Sequence, residues 1–424
     1  MAGPVPLSLL PDHASVADDG MLTIAGVRAD DLAAEFGTPL FVYDEEHLRA
    51  RCREAVEAFG DGVAYATKAF LCKAMARLAH EEGMHLDVAT GGEMQVALAA
   101  DVPAERLVLH GNNKSELELR MALDAGVGRI VVDSFDEIDR IEAIHAQTGQ
   151  VASVLLRVTP GVEAHTHEYI ATGQDDSKFG FTVSTGVARS AVERAQASDA
   201  LDLRGIHAHI GSQVFRLDSF RAAAQVLAEF STPLGLDELS VGGGLGVAYV
   251  EGEETLPIPA WGKIVIDACR DAGVTAQILA EPGRSIAASA AVTLYTVGTV
   301  KELEGIRTYV SVDGGMSDNP RPVLYGSGYE AFLPRSVAAE RERMVRIVGK
   351  HCESGDVLVR EAAVPADIAV GDLLATPVTG AYGHSLGSNY NKVLRPAVVF
   401  VSDGEARLVV ERETFDDLLR NDVG

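Results

Sequence analysis

The sequence has little with which to staple a fold, cross a membrane or grip nucleic acid. Its four cysteines, Cys52, Cys72, Cys269 and Cys352, show no Cys-x-x-Cys spacing and are too few to brace 424 residues. That argues against a zinc site and a disulfide framework alike, and leaves any one of them as a free thiol. No apolar run reaches the roughly 20 residues that a membrane helix needs. The opening MAGPVPLSLLPDHASVADDG lacks the basic-then-apolar order of a signal peptide, so a cytoplasmic location without a membrane partner is expected. Basic residues are scarce: 36 Lys and Arg against 62 Asp and Glu give a net charge of -26. Such a surface repels nucleic acid and anionic membranes and favours solubility. Low-complexity linkers and internal repeats are missing too, which removes disordered and solenoid classes.

What is present is a chain long enough for two cores. From about residue 44 to 292, short β-rich segments alternate with helical ones. The predicted strands are 63–67, 85–90, 106–111, 129–134, 153–159, 203–210, 238–243 and 276–282. Helical spacing fills 71–82, 92–100, 114–125, 135–147, 185–198, 218–230 and 258–272, and EEHLRARCREAVEAF precedes the first strand. Eight alternations predict a (β/α)8 barrel, with a doubly wound open sheet as the alternative. Beyond residue 292 the helical period fades into short β runs, predicting a second, all-β domain of barrel or sandwich type over 293–424. The strand-like MLTIAGV and PLFVY in 1–43 are expected to complete it.

Polar and glycine-rich motifs collect where the predicted strands end, which is where a barrel places its chemistry. Lys68 follows the apolar VAYAT, at a barrel mouth where desolvation favours a neutral, nucleophilic amine; by position alone an isolated lysine of this kind is usually surface charge. His207-Ala208-His209-Ile210-Gly211-Ser212-Gln213 ends the sixth strand. One imidazole there can stack on an aromatic cofactor, or both can be satisfied core histidines; His-x-His also suggests a metal, but no acidic third ligand is evident from the spacing. Gly242-Gly243-Gly244-Leu245-Gly246 ends the seventh strand and lets backbone N–H groups approach a phosphate, or is simply a tight turn. It lacks the spacing and position of a dinucleotide fingerprint. Glu281-Pro282-Gly283-Arg284 ends the eighth, an ion pair or a carboxylate aimed at a pyridinium nitrogen beside an anion-binding guanidinium. In the β region, Asn319–Tyr325, Cys352-Glu353-Ser354 and Gly380–Ser385 stand out.

Together these motifs resemble the fold-type III pyridoxal-phosphate (PLP) decarboxylases, most closely the diaminopimelate decarboxylases, over nearly the whole chain. Tyr65-Ala66-Thr67-Lys68-Ala69 resembles the family's cofactor-lysine motif. His209 to Gln213 is similar to its ring-stacking histidine with a phosphate-binding serine, the triple glycine to its phosphate loop, and Glu281 to Arg284 to its pyridine-nitrogen motif. Features closer to the diaminopimelate enzymes are His167–Gly173, Ser177–Phe181, Val312-Asp313-Gly314-Gly315-Met316 and Arg321–Tyr325; Gly383–Ser388 departs from the family's usual run.

The resemblance implies PLP held by Lys68, His209, Ser212, Gly243, Gly244, Glu281, Gly283, Arg284 and Tyr382. It implies Lys68 and Cys352 as catalytic residues, with Cys352 returning a proton to carbon. Arg284, Arg321, Tyr325 and Tyr382 would bind the substrate, the arginines and Tyr325 reading its distal carboxylate, and Glu353 the distal ammonium. It further implies a homodimer whose partner supplies Cys352 and Glu353, and decarboxylation of meso-2,6-diaminopimelate to L-lysine and carbon dioxide, the last step of lysine biosynthesis. Rival readings are a decarboxylase of D-lysine, D-ornithine or a carboxylated polyamine, a non-catalytic PLP carrier, and a racemase on the same barrel.

Overall fold

The structure, a computed structural model, describes residues 3–161, 175–209, 211–215 and 217–424, with backbone alone at 217–218. Its contacts divide the chain into two units: Arg51–Gly246 with Thr255–Ser285, and Met1–Ala50 with Val247–Glu254 and Ile286–Gly424.

The first unit contains eight parallel strands, Ala64–Ala66, His85–Val88, Leu107–Leu109, Arg129–Val132, Ala152–Thr159, Leu201–His207, Glu238–Ser240 and Gln277–Leu279, neighbouring one another in chain order. The ends of this sheet meet. Val63 bridges Ala280, with Ala64 N–H donating to Ala280 O at 2.9 Å and Ala280 N–H to Gly62 O at 3.0 Å. Closure decides for the barrel over the open sheet. Ala64, Val108, Val131, Leu155 and Leu279, from five of these strands, pack into one buried cluster, so the barrel interior is a core and not a pore.

The predicted helices form with ends set by local chemistry. Ser115 and Glu118 make a reciprocal capping box, so that helix starts at Glu116 and not 114, and Gly126 closes it in a left-handed turn. The chain's single tryptophan, Trp261, is fully buried in Ile258–Asp271, with its ring 5.1 Å from Phe59 and 5.8 Å from Phe220.

In the second unit an eight-stranded sheet is built around Ala291–Leu303. Leu40–Asp44, the predicted PLFVY strand, lies between that strand, antiparallel, and Ala397–Ser402, parallel. MLTIAGV belongs to the same unit but lies outside this sheet. It supplies Leu22–Ile24 and Val27–Arg28 to a separate three-stranded sheet with Ala14–Val16, and joins the large sheet through the shared core of Leu22, Ile24, Leu40, Val42, Leu294 and Val399. The unit is also not purely β. Pro320 and Pro322 cannot donate to a ladder, and Arg321–Tyr325 forms a short helix closed by Gly326 in a left-handed conformation; Thr414 and Asp417 cap a second, Phe415–Leu419.

Candidate active site

In the barrel unit, the C-terminal strand ends gather titratable groups that lie far apart in sequence. Lys68 sits in a turn, Thr67–Ala69, directly after the first strand. The turn is pinned by Thr67 Oγ1–H donating to Asp87 O at 2.8 Å and by Tyr65 O–H donating to Phe70 O at 2.8 Å. Lys68 is exposed, so the desolvation expected from its position is not supplied by its neighbours in the chain. Glu281, by contrast, is 8% exposed. Its Oε2 accepts from His207 Nε2 at 2.9 Å and its Oε1 from Ser240 Oγ at 2.9 Å, while His110 Nε2 lies 3.6 Å away. Burial pushes a carboxyl upward, but the two imidazoles and the hydroxyl hold Glu281 well below the ordinary carboxylate range. Charged hydrogen bonds contribute about 1.5–3 kcal/mol each, enough together to offset the several kcal/mol of desolvating one carboxylate.

The neighbours titrate in the opposite sense. Burial raises Asp87, at the end of the second strand, to about 8, and lowers His110 and His209 well below the usual imidazole range. Burial thus opposes charge on Asp87, His110 and His209, while hydrogen bonds and the neighbouring imidazoles favour it on Glu281. His207 pairs with Glu281 rather than acting with His209. Glu281 instead joins His207 with His110: one ligand-type atom from each lies within 4.8 Å of the others, and His209 is not part of this cluster.

The loops after the sixth and seventh strands interlock. Val214 N–H donates to Gly244 O at 2.9 Å and Gly243 N–H to His209 Nδ1 at 3.1 Å. A Cβ on Gly243 would stand 2.2 Å from Glu281 O and one on Gly244, at φ +109°, 2.3 Å from Gly211 O, so only glycine fits. Gly283 plays a packing part, since a Cβ there would meet Ala66 at 2.9 Å beside the lysine turn. Arg284 Nη2 donates to Ser212 Oγ at 2.8 Å.

Of the diaminopimelate-like motifs, His167–Gly173 lies outside the described residues, as does Ile210. Ser177–Phe181 is anchored: Gly180 N–H donates to Asp133 Oδ1 at 2.7 Å, and the buried Arg157 guanidinium sits 4.1 Å from the Phe179 ring centre.

The other predicted residues gather within the β unit. Arg321 is 4% exposed. Its guanidinium lies 4.1 Å from the Tyr249 ring centre and 5.6 Å from that of Tyr329, and Nη1 donates to Tyr329 Oη at 2.6 Å. Among the described residues no carboxylate pairs with it. Tyr325 is half-buried on the same short helix, and Tyr382 holds a left-handed φ of 60°. Cys352 and Glu353 are exposed, and Glu353 Oε1 accepts Gly355 N–H at 3.2 Å. Asp356 joins their loop to the segment before Arg321, accepting His351 N–H at 2.9 Å and Met316 N–H at 2.7 Å.

Sequence reasoning missed His110, Asp87, Ser240, Tyr249 and Tyr329. The first three carried a signal, polar residues closing the apolar runs RLVLHG, HLDVAT and ELSVGG; the tyrosines carried none.

A barrel with a lysine after its first strand, a glycine cradle no side chain can enter and a buried anionic carboxylate fits an aromatic, phosphorylated cofactor, which defines the class as PLP-dependent enzymes of the alanine-racemase-like barrel. A family model described as "Pyridoxal-dependent decarboxylase, pyridoxal binding domain" matches residues 45–288. Diaminopimelate decarboxylase of Mycobacterium tuberculosis (strain ATCC 25618 / H37Rv) is 50% identical over 434 residues, 97% of each chain. That of Bacillus subtilis (strain 168) is 47% identical over 425 residues, 95% of each. Diaminopimelate decarboxylase from M. jannaschii, solved with L-lysine, superposes with a TM-score of 0.90 at 32% identity, covering 97% of this chain and 98% of that one. The chain belongs to the diaminopimelate decarboxylase family of PLP-dependent carboxy-lyases.

Proposed function

We propose that the chain decarboxylates meso-2,6-diaminopimelate to L-lysine and carbon dioxide in the cytoplasm, as a homodimer. Residues 1–43 and 293–424 form the β domain that brings the partner subunit's Cys352 and Glu353 to the cofactor carried by the barrel of 44–292. The observation that carries the reading is Arg321: a buried cation steadied by aromatic faces, with no carboxylate of its own among the described residues, is matched to an anionic ligand. A substrate ending in a lone ammonium gives that guanidinium nothing to bind.

Bound PLP supplies an electron sink for the pair left when the α-carboxylate departs as carbon dioxide. Lys68 would carry it. Glu281, kept anionic by His207 and Ser240, would accept a hydrogen bond from its protonated ring nitrogen. His209 would hold the aromatic ring, and Ser212, Gly243, Gly244, Gly283, Arg284 and Tyr382 would hold the cofactor beside it. Arg284, Arg321 and Tyr325 orient the substrate's distal carboxylate and the partner subunit's Glu353 its ammonium, with Tyr382 also contacting substrate. The Cys352 thiol delivers a proton to the carbon that lost its carboxylate.

Purified protein with PLP, given meso-diaminopimelate, D-lysine or D-ornithine separately, is expected to release carbon dioxide from the first alone, with L-lysine as co-product. Comparable turnover of either D-amino acid would move the assignment to the neighbouring decarboxylases.

A further inference from the structure

The segment 389–392 carries none of the motifs that marked the site, yet it holds Cys352. Cys352 donates its backbone N–H to Asn391 Oδ1 at 3.1 Å, and His351 Nδ1 lies 3.3 Å from the same oxygen. A backbone N–H only donates, so the amide oxygen of Asn391, not its nitrogen, faces Cys352. Facing an acceptor oxygen, His351 Nδ1 is the donor of that contact, and Nε2 shares a hydrogen bond with Ser317 Oγ at 2.8 Å.

The segment is itself fixed. Just before it, Ser388 N–H donates to Ser317 O at 2.9 Å; within it, Asn389 Nδ2 donates to Val393 O at 3.0 Å, and the Tyr390 ring lies 5.4 Å from that of His351. Asn391 adopts φ 51°, ψ 24°, a left-handed conformation that asparagine tolerates better than most residues with a side chain. This backbone is what aims Oδ1 back at residues 351 and 352.

We infer that Asn391 is the positioning residue for Cys352: its side-chain oxygen, held in a left-handed turn between Cys352 N–H and His351 Nδ1, sets the direction in which an exposed cysteine presents its thiol. The inference rests on Cys352 being the proton donor. Proton delivery to carbon demands a fixed line of approach, and an error of about 1 Å costs on the order of 100-fold in rate; an exposed side chain on an untethered turn samples several rotamers instead.

The test uses the holoenzyme with Asn391→Ala, Asn391→Gly and Asn391→Asp. Aspartate keeps an acceptor oxygen and tolerates the left-handed turn; glycine keeps only the turn. Two readouts are taken: kcat and KM on meso-diaminopimelate, and the rate at which iodoacetamide alkylates Cys352, located by peptide mapping. Cys52, Cys72 and Cys269 are buried, so native alkylation reports Cys352. The alanine and glycine variants are expected to lose about tenfold or more in kcat with KM changed by less than about twofold, and to change alkylation severalfold; aspartate restores both. Parental kcat and alkylation in Asn391→Ala would overturn the inference, as would full recovery by glycine, which would assign the residue to backbone conformation alone. Cys352→Ala separates the two readings: parental turnover there removes the cysteine's role, while the alkylation rates still judge whether Asn391 orients it.

Discussion

Two buried charges, one in each unit, are treated in opposite ways. In the barrel, Glu281 is satisfied by the chain itself, with hydrogen bonds from His207 and Ser240 at 2.9 Å and with His110 at 3.6 Å. In the β unit, Arg321 is steadied by Tyr249 and Tyr329, with no carboxylate paired to it among the described residues. Cation–π contact is worth about 0.5–2 kcal/mol, sufficient to fix a guanidinium plane and insufficient to replace a counter-ion. The difference separates a resident group from a passing one. A site for a permanent cofactor can be electrostatically finished in advance, whereas a site for a substrate that must arrive and leave keeps its charge available.

The largest expected effect breaks the barrel side of this comparison. Lys68→Ala should lower turnover on the order of a thousandfold or more and abolish the visible absorbance of bound cofactor, with little change in Tm because the residue is exposed. Mixed with a Cys352→Ala variant, it should recover part of the turnover through hybrid dimers; no recovery would refute the shared site. Next, Arg321→Leu should weaken inhibition by L-lysine about 10- to 100-fold, the size of a charged hydrogen-bonded pair, while a five-carbon diamine lacking the carboxylate should bind as before. Equal weakening of both would show that Arg321 reads no carboxylate.

The smallest effect concerns Asp87. Burial raises it from 3.8 to about 8, so the folded chain retains a proton that the unfolded chain releases, and stability declines as pH climbs through that window. In the cofactor-free protein, the Tm of Asp87→Asn relative to the parent should therefore rise between those two values and level off above them. A difference independent of pH would dissociate Asp87 from the buried network.

The barrel was legible because its signals are local: apolar runs alternating with helical periods, and polar residues at strand ends. Lys68, Glu281 and the glycine loop stood out for that reason. Their partnerships did not, because His207 and Glu281 are 74 residues apart and meet only through strand register. In the β unit less could be read. MLTIAGV and PLFVY look alike as strands, but which sheet each joins depends on long-range pairing. Tyr249 lies in Val247–Glu254, a short stretch that joins the β unit from between two barrel segments. Asn391 sits in a single irregular turn, where no periodicity announces it.

Trp261, fully buried between Phe59 and Phe220, is the only indole in the chain and belongs to the barrel unit. Its fluorescence therefore reports one unit and is blind to melting confined to the other, while far-ultraviolet dichroism sums both. Denaturation followed by the two signals together would reveal whether the units lose structure in one cooperative step or in sequence, without introducing a label or changing a residue.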